Sequence, residues 1–379
     1  MTTPILPGAT LGILGGGQLG RMTAMAARAL GYHIHCLDPD PSCAARFVVD
    51  RCLTASFEDD FAAADLARHC AVVTLEIEKV SQASLAAAGR YAPVRPSARA
   101  LAVVQDRGAQ RAWLAAQGAP QGPWRLVTDP DGSLAAVEAL GGACFFKACT
   151  GGYDGRSQAE VTEASEAREA FRALGGGPCV VEARLAIAAE LSVLVARTPS
   201  GAVTVYPPAK NHHQDRVLTW SVLPGPLEPA VAREAEALGL RLAEALGVEG
   251  LLVLELFLTQ GGALFVNELA PRPHNTFHAT EVACLTSQFE QCVRAVCDLP
   301  LGSVEVVRPA AIYNLFGDLW LRGDAPAFDR ALALPGVRVH LYGKRHARPG
   351  RKMGHLSATG PSPEEALARV RHARTLLGA

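Results

Sequence analysis

Short apolar runs, each closed by a polar or charged residue, recur along the chain and set its predicted strands. Residues 10–14, 32–37, 71–75, 144–147, 179–182, 190–195 and 251–258 are strand-sized and bounded by glycine, proline or acids. Helical spacing of apolar positions marks an alanine-rich run ending at Leu30, then 105–117, 165–174, 229–246 and 287–296. Gly31, Gly118 and Gly247 stop three of these. The stretch 121–142, rich in Pro, Gly and Asp, reads as a connection, and 299–302 as a linker. Three more strands (311–315, 337–342, 352–357) and a helix form a small last unit. Ser362-Pro363 with Glu364 and Glu365 suits that helix's positive end, and Arg369, Arg371 and Arg374 lie toward the other.

The stretch from Gly250 to Asn275 carries the densest chemistry. Leu251 to Leu258 is apolar except for Glu255, Gly261-Gly262 supplies a turn, and a second apolar run reaches Asn267-Glu268. A turn of the two glycines alone pairs Phe257 with Val266, Leu256 with Asn267 and Glu255 with Glu268. The two carboxylates then share one face, with Cβ atoms roughly 5 Å apart. Like charges so placed repel, and a hard divalent cation bridging them removes the cost; Mg²⁺ typically combines one or two carboxylates with substrate phosphates. A structural acid pair is the plainer reading. Arg272, His274 and Asn275 follow directly as donors for an anion or polar ligand.

Composition narrows the class. A chain of 379 residues exceeds one ordinary core, and 49% hydrophobic with 19% charged residues describes a folded globular protein. A net charge of −1 gives no global attraction to nucleic acid or anionic membrane, so phosphate binding must be local. No apolar run is long enough to span a bilayer, and MTTPILPGAT lacks the features of a secretory leader. Ten cysteines without a CxxC pair suit a reducing cytoplasm and make zinc an unexpected ligand.

Gly15, Gly17 and Gly20 satisfy GxGxxG between a strand and a helix, with Asp38 where a ribose-binding acid would stand. That pattern fits an NAD-dependent dehydrogenase, but such a loop offers N–H groups to any phosphate, including a ribonucleotide's. Asp38 before Pro39-Asp40-Pro41 also fits a residue that only closes its strand. Glu76, at the carboxyl end of 71–75, is a candidate substrate contact or a solvated loop acid. Lys147 closes a strand before Thr150-Gly151-Gly152-Tyr153-Asp154-Gly155-Arg156-Ser157, where glycines let amides approach phosphate and the lysine adds charge. Strand-end acids recur at Glu182, Glu190, Glu255 and Glu268. Lys344, Arg345, Arg348, Arg351 and Lys352 cluster near Pro349-Gly350, as a solvated basic face or an anion clamp.

The ordered set GGGQLGRM, KACTGGYDGRSQ, ELSVLVAR, NHHQD, NELAPRPHN, TSQFE, LPLG, LYGK and RPGRKMGHL covers nearly the whole chain. It resembles the ATP-grasp ligases, and within them the 5-(carboxyamino)imidazole ribonucleotide synthases of purine biosynthesis. The resemblance implies an α/β and α+β architecture: a Rossmann-like domain (1–103), a central ATP-grasp domain (104–300) with a mobile lid (about 120–186), and a small β-rich C-terminal domain (301–379). It implies ATP contacts at Arg107, Lys147, Gly152, Tyr153, Asp154, Gly155, Arg156, Ser157, Glu182, Ala183, Arg184, Leu185, Glu190, His213, Asn267 and Glu268. Mg²⁺ falls to Glu255 and Glu268. Gln18, Leu19, Glu76, Tyr153, Arg272, His274, Asn275, Lys344, Arg351 and Lys352 surround the ribonucleotide, with the glycine loop on its phosphate.

The implied reaction consumes ATP, bicarbonate and aminoimidazole ribonucleotide through carboxyphosphate. Lys147, Tyr153, Arg272 and His274 are its expected catalytic groups, with His274 managing the amine proton. A cytoplasmic homodimer without nucleic-acid or membrane partners is the implied setting. Several positions depart from the family pattern: Ile77 and Lys79, Ser157, Lys210, Arg216, and Thr276-Phe277. Phe277 is expected to narrow the ribonucleotide site, and another carboxylate–amine ligase of the same fold is the nearest alternative.

Overall fold

The structure, a computed structural model, describes residues 3–151, 157–321, 323 and 325–378. The first layer is a parallel sheet of β1 (Thr10–Leu14), β2 (His33–Asp38), β3 (Arg51–Thr54) and β4 (Val72–Leu75), in the order β3-β2-β1-β4. Successive side chains of β1 alternate between two cores, as the strand's two-residue period requires. Leu11 and Ile13 pack with Ala24 and Ala27 of helix Gln18–Ala29, while Leu14 packs with Ala63 and Leu66 of helix Asp60–Arg68. Both faces are therefore covered, as parallel sheets demand. The carboxyl ends of β1, β2 and β4 open onto the rest of the molecule.

A second, antiparallel sheet joins β5 (Trp124–Val127), β6 (Cys144–Ala148), β7 (Gln158–Val161) and β8 (Cys179–Ala183) in the order β5-β8-β6-β7. Helices Pro130–Ala139 and Ala167–Ala173 back it around Val137, Phe146, Phe171 and Val181. The stretch read as a connection thus holds a strand and a helix. Its Asp129-Pro130 is a helix start: Asp129 Oδ1 accepts from the N–H groups of Asp131 and Gly132 at 3.1 and 2.8 Å.

The third sheet contains β9 (Ile187–Arg197), β10 (Val203–Val205), β11 (Ala209–Gln214), β12 (Val217–Leu223), β13 (Gly250–Thr259), β14 (Leu264–Ala270), β15 (Ala310–Phe316), β16 (Val337–Leu341) and β17 (Lys352–Thr359). Its order is β14-β13-β9-β11-β12-β15-β17-β16, with β10 on β9. The last unit therefore does not form a sheet of its own: β15 pairs with β12, from Trp220↔Tyr313 to Leu223↔Ala310. At the other junction, helix Ala98–Gln105 runs through residue 103. No helix among the described residues is long and apolar enough to cross a membrane.

One expectation is corrected in this core. Phe277 is fully buried, its ring in edge contact with Tyr206 at 6.2 Å, among Leu218, Leu223 and Val253. Its side chain fills the interior and does not wall a ligand site. Phe277→Ala is expected to lose about 3–5 kcal/mol, read as a lower urea midpoint at unchanged slope.

Candidate active site

The hairpin of β13 and β14 brings the two carboxylates together by a different route from the one expected. Its loop is three residues, with Gly262 at φ 82° and its N–H donating to the Thr259 carbonyl at 3.0 Å. That loop pairs Leu256 with Val266 and Phe257 with Phe265, one step off the expected register. A bulge at Asn267 then restores the offset, and Glu255 faces Glu268. The bulged residue is re-aimed into the site. Its amide nitrogen donates to Glu255 Oε2 at 3.3 Å, and its amide oxygen accepts from Lys147 Nζ at 3.2 Å.

The register across β9 extends this polar face. Glu255 lies beside Ser192, and Glu190 lies between Phe257 and Asn211. Glu190 forms an ion pair with His213 Nδ1. Burial raises the Glu255 carboxyl; His213 opposes this, Glu268 and Glu190 add to it, and Lys352 opposes it. Glu255 is thus a half-buried carboxylate held near two other acids, with cations at hand. Burial alone would lower His213, but its bond to Glu190 and the Glu255 and Glu190 charges outweigh it and raise it above 6.5. A raised histidine stabilises the fold fully below its unfolded value and loses that contribution as pH climbs through the folded one. The melting-temperature gap between wild type and His213→Gln is therefore expected to narrow from about pH 6 to about pH 9.

Beyond Asn267 lies a cationic side. Lys147 Nζ sits 2.7 Å from Glu182 Oε2, and Arg111 bonds Glu182 Oε1 through Nε at 2.7 Å. Arg111 also donates to the carbonyls of Val266 and Asn267, at 2.7 and 2.8 Å, tying its helix to the bulge. Burial would raise Glu182, yet Lys147 and Arg111 bring it below the usual carboxylate value. Glu182 is consequently matched by two cations. Arg107, Gln110, Arg111, Lys147, Glu182, Asn267 and Glu268 line one crevice.

Sequence reasoning missed Arg111, although it stands four residues after Arg107 on one helix, a spacing that places both on one side. Ala183 and Arg184 donate their N–H groups to the carbonyls of Pro123 and Ala143, both at 2.9 Å, and Leu185 packs against Gly122. Ser157 continues the β6–β7 ladder, its carbonyl accepting from Ala148 at 3.0 Å. Gly152, Tyr153, Asp154, Gly155 and Arg156 lie outside the described residues. Arg216, on the β11–β12 turn, reaches Glu160 at 3.3 Å and stands 5.7 Å from the Phe145 ring centre.

The other side of the acid pair faces the first sheet. Here the glycine loop departs from the expected phosphate cradle. Gly16 N–H donates to Asp38 Oδ2 at 2.7 Å, and Gly17 and Gly20 N–H groups donate to Glu76 at 2.5 and 2.7 Å. A Cβ at Gly20 would meet the Gly15 carbonyl, and one at Gly17 the Glu76 carboxylate. The loop's glycines thus serve an internal carboxylate lock, with Asp38 also accepting from Asp40 N–H at 2.8 Å. Asp38 closes its strand, and the dinucleotide reading loses its ribose acid. Among the described residues, no acceptor bonds the N–H groups of Gln18 and Leu19.

Arg272 bridges the two halves. Its Nε donates to Glu78 at 2.6 Å, and burial, which would lower it, is outweighed by Glu78, Glu268 and Glu76. His274 stands 3.4 Å from Glu255 Oε1 through Nε2 and 2.9 Å from Thr276 Oγ1 through Nδ1. Burial, then the Arg272, Lys352 and His213 charges, push it well below the usual imidazole value, so it is neutral at neutral pH. Gln288 holds its backbone from both sides, at 2.8 and 2.9 Å. Asn275 is buried, with neither amide atom partnered among the described residues. Lys344 Nζ donates to Gln18 Oε1 at 2.6 Å and to the Lys352 carbonyl at 2.8 Å, drawing the C-terminal strands onto the glycine loop. Arg351 is held through His346 carbonyl at 2.7 Å, with its charge near Asp40.

Family models match the chain in three consecutive parts: a ribonucleotide synthetase preATP-grasp domain over 8–105, an ATP-grasp domain over 112–289, and a phosphoribosylaminoimidazole carboxylase C-terminal domain over 310–369. The N5-carboxyaminoimidazole ribonucleotide synthase of Brucella melitensis is 39% identical, across 95% of this chain and 98% of that one. The ADP complex of an N5-carboxyaminoimidazole ribonucleotide synthetase superposes with a TM-score of 0.92 at 36% identity, covering 99% and 98% of the two chains. An Aspergillus clavatus synthase in complex with ADP and 5-aminoimidazole ribonucleotide gives 0.89 at 31% identity, covering 97% and 98%. The chain belongs to the N5-carboxyaminoimidazole ribonucleotide synthase family of ATP-grasp ligases.

Proposed function

We propose that the chain carboxylates 5-aminoimidazole ribonucleotide with bicarbonate and ATP, giving N5-carboxyaminoimidazole ribonucleotide, ADP and phosphate in purine biosynthesis. The observation that carries this reading is one acidic centre, Glu255 and Glu268, between two unlike cationic sides. Lys147 and Arg111 stand on one side, and Arg272 and Lys352, beside the neutral His274, on the other. The triphosphate belongs at the first side, with Arg107 and Lys147 beside it, the base against the backbone of 182–185, and the ribose toward Glu190 and His213. The ribonucleotide belongs at the second, near Gln18, Leu19, Asn275, Lys344, Arg351 and Lys352. The reading includes a cytoplasmic homodimer, an extension carried by the resemblance alone.

The facing carboxylates suit a hard dication, since burial and the Glu268 and Glu190 charges raise Glu255 against the pull of His213 and Lys352. Glu255 and Glu268 would hold Mg²⁺, which when bound neutralises phosphoryl charge. The chain's own residues supply the rest. Lys147 meets the charge spreading over the transferred phosphoryl group as bicarbonate oxygen bonds to the γ-phosphorus and the bond to ADP breaks. Arg272 orients the carboxyphosphate so formed. The exocyclic amine then bonds to its carbon, phosphate leaves, and neutral His274 accepts the amine proton at Nε2. Glu255, 3.4 Å from that nitrogen, steadies the imidazolium.

The decisive measurement follows ADP release with ATP and bicarbonate, with and without 5-aminoimidazole ribonucleotide. Strong stimulation by the ribonucleotide is expected; its absence removes this substrate and leaves only ATP-grasp chemistry. Arg351→Ala is expected to raise the ribonucleotide's KM about ten- to a hundredfold at nearly constant kcat, as loss of a charged phosphate contact in ground and transition states does. An unchanged KM would place the phosphate elsewhere.

A further inference from the structure

Behind the wall that carries His274, a second group of ligating side chains converges, and we infer that Glu281, His340 and His355 form a binding site for a zinc-class transition-metal dication. Glu281 lies on helix Thr280–Ala283, and His340 and His355 are cross-strand partners on β16 and β17. The two imidazoles stack at 5.1 Å and 9°. Glu281 Oε2 stands 3.8 Å from His340 Nδ1 and 3.9 Å from His355 Nε2, and the three donor atoms lie within 4.8 Å of one another. Those separations are too long for hydrogen bonds. The two carboxylate–imidazole distances lie slightly beyond the roughly 3.4 Å edge of a tetrahedron built on ~2.1 Å metal–ligand bonds, and the ring nitrogens, within 4.8 Å of each other, reach one ion when the two nearly parallel rings turn and draw together. Among the described residues, no hydrogen bond reaches the Glu281 carboxylate.

The surroundings prepare the donors. Tyr342 hydroxyl lies 3.0 Å from His355 Nδ1. With the proton on Nδ1 donated to that oxygen, the Nε2 lone pair points to the ion, the arrangement that orients metal-bound histidines. His278 stacks on His355 at 4.7 Å, and its Nδ1 lies 3.1 Å from Gln288 Nε2. A cavity of about 410 Å³ reaches Glu281 and His340, with Met22, Met25, Phe289 and Glu290 in its wall. It gives the ion an entry path and leaves a fourth position for water or a small ligand. Two imidazoles and one carboxylate favour Zn²⁺, Co²⁺ or Ni²⁺ over Mg²⁺, which prefers oxygen donors. An ion there would pin β16 and β17 to the segment that continues from His274, which Gln288 grips. The site stands apart from the purine reading and survives or fails independently of it.

The test uses the whole chain, stripped with a chelator and returned to excess Mg²⁺, then titrated with Zn²⁺ or Co²⁺. One equivalent of Zn²⁺ is expected to bind by equilibrium dialysis and to raise the melting temperature. Bound Co²⁺ is expected to give tetrahedral d–d absorption without thiolate charge transfer. Glu281→Gln and His340→Ala are each expected to weaken Zn²⁺ binding by about tenfold or more. Both positions are partly exposed, and circular dichroism checks that each variant folds. Failure to bind an equivalent, a thiolate band, or undiminished affinity in either variant overturns the site.

Discussion

Glu268→Gln is expected to lower kcat by about a thousandfold or more, a loss of about 4 kcal/mol of transition-state stabilisation. The substitution keeps the shape of the side chain and removes one charge from the facing pair. Glu268 is exposed, so its removal leaves the core intact and the melting temperature nearly unchanged. What it removes is half of the carboxylate set proposed for the dication. The apparent Mg²⁺ requirement should rise together with the fall in turnover, while the ribonucleotide's KM stays near wild type. Asn267 keeps its place, because its amide is held by Glu255 and Lys147, which the substitution leaves alone. A kcat within about tenfold of wild type, or an unchanged Mg²⁺ dependence, would detach Glu268 from the phosphoryl-transfer centre.

The pairing of Glu255 with Glu268 followed from two apolar runs and a glycine turn, and the pairing is present. The turn length is not legible, since Gly-Gly fits a two-residue loop as readily as the last positions of a three-residue one. The bulge at Asn267 offsets the difference in loop length, and a bulge leaves no local signal beyond an interrupted alternation. Helix Pro229–Leu246 was legible end to end, with a proline start and a glycine stop. The helix Pro130–Ala139 was hidden because its cap, proline and glycine look like loop residues when they precede so short a run. Non-local partnerships were the least legible. Nothing near Glu76 announces that it holds the N–H groups of Gly17 and Gly20, and nothing near Arg111 announces Glu182, 71 residues away. Those contacts depend on how separate elements meet, which periodicity does not encode. Phe277 shows the opposite failure: a departure from a motif was assigned to the ligand side, when its size is used in the core.

Lys147→Met is expected to cut kcat by about a hundred- to a thousandfold while barely changing stability. The prediction turns on the three-membered cluster of Lys147, Glu182 and Arg111. Removing one partner of a buried ion pair ordinarily costs about 3–5 kcal/mol, because the other charge is left without a counterion. Here Glu182 retains Arg111, which bonds the same carboxylate at 2.7 Å, so the loss of Lys147 leaves no orphan. Methionine preserves the length and apolar stem of the side chain at the end of β6. Glu182→Gln is the informative contrast. It leaves both Lys147 and Arg111 without their carboxylate, and is expected to destabilise the fold by about 3–5 kcal/mol. It should also let the ammonium drift from its 3.2 Å contact with Asn267. A cation that only holds the structure together would reverse this order, with Lys147→Met melting early and turning over normally. A cation placed to meet charge on a transferring phosphoryl group gives a stable protein with slow phosphoryl transfer. Urea unfolding and single-turnover ADP formation on the two variants separate these outcomes.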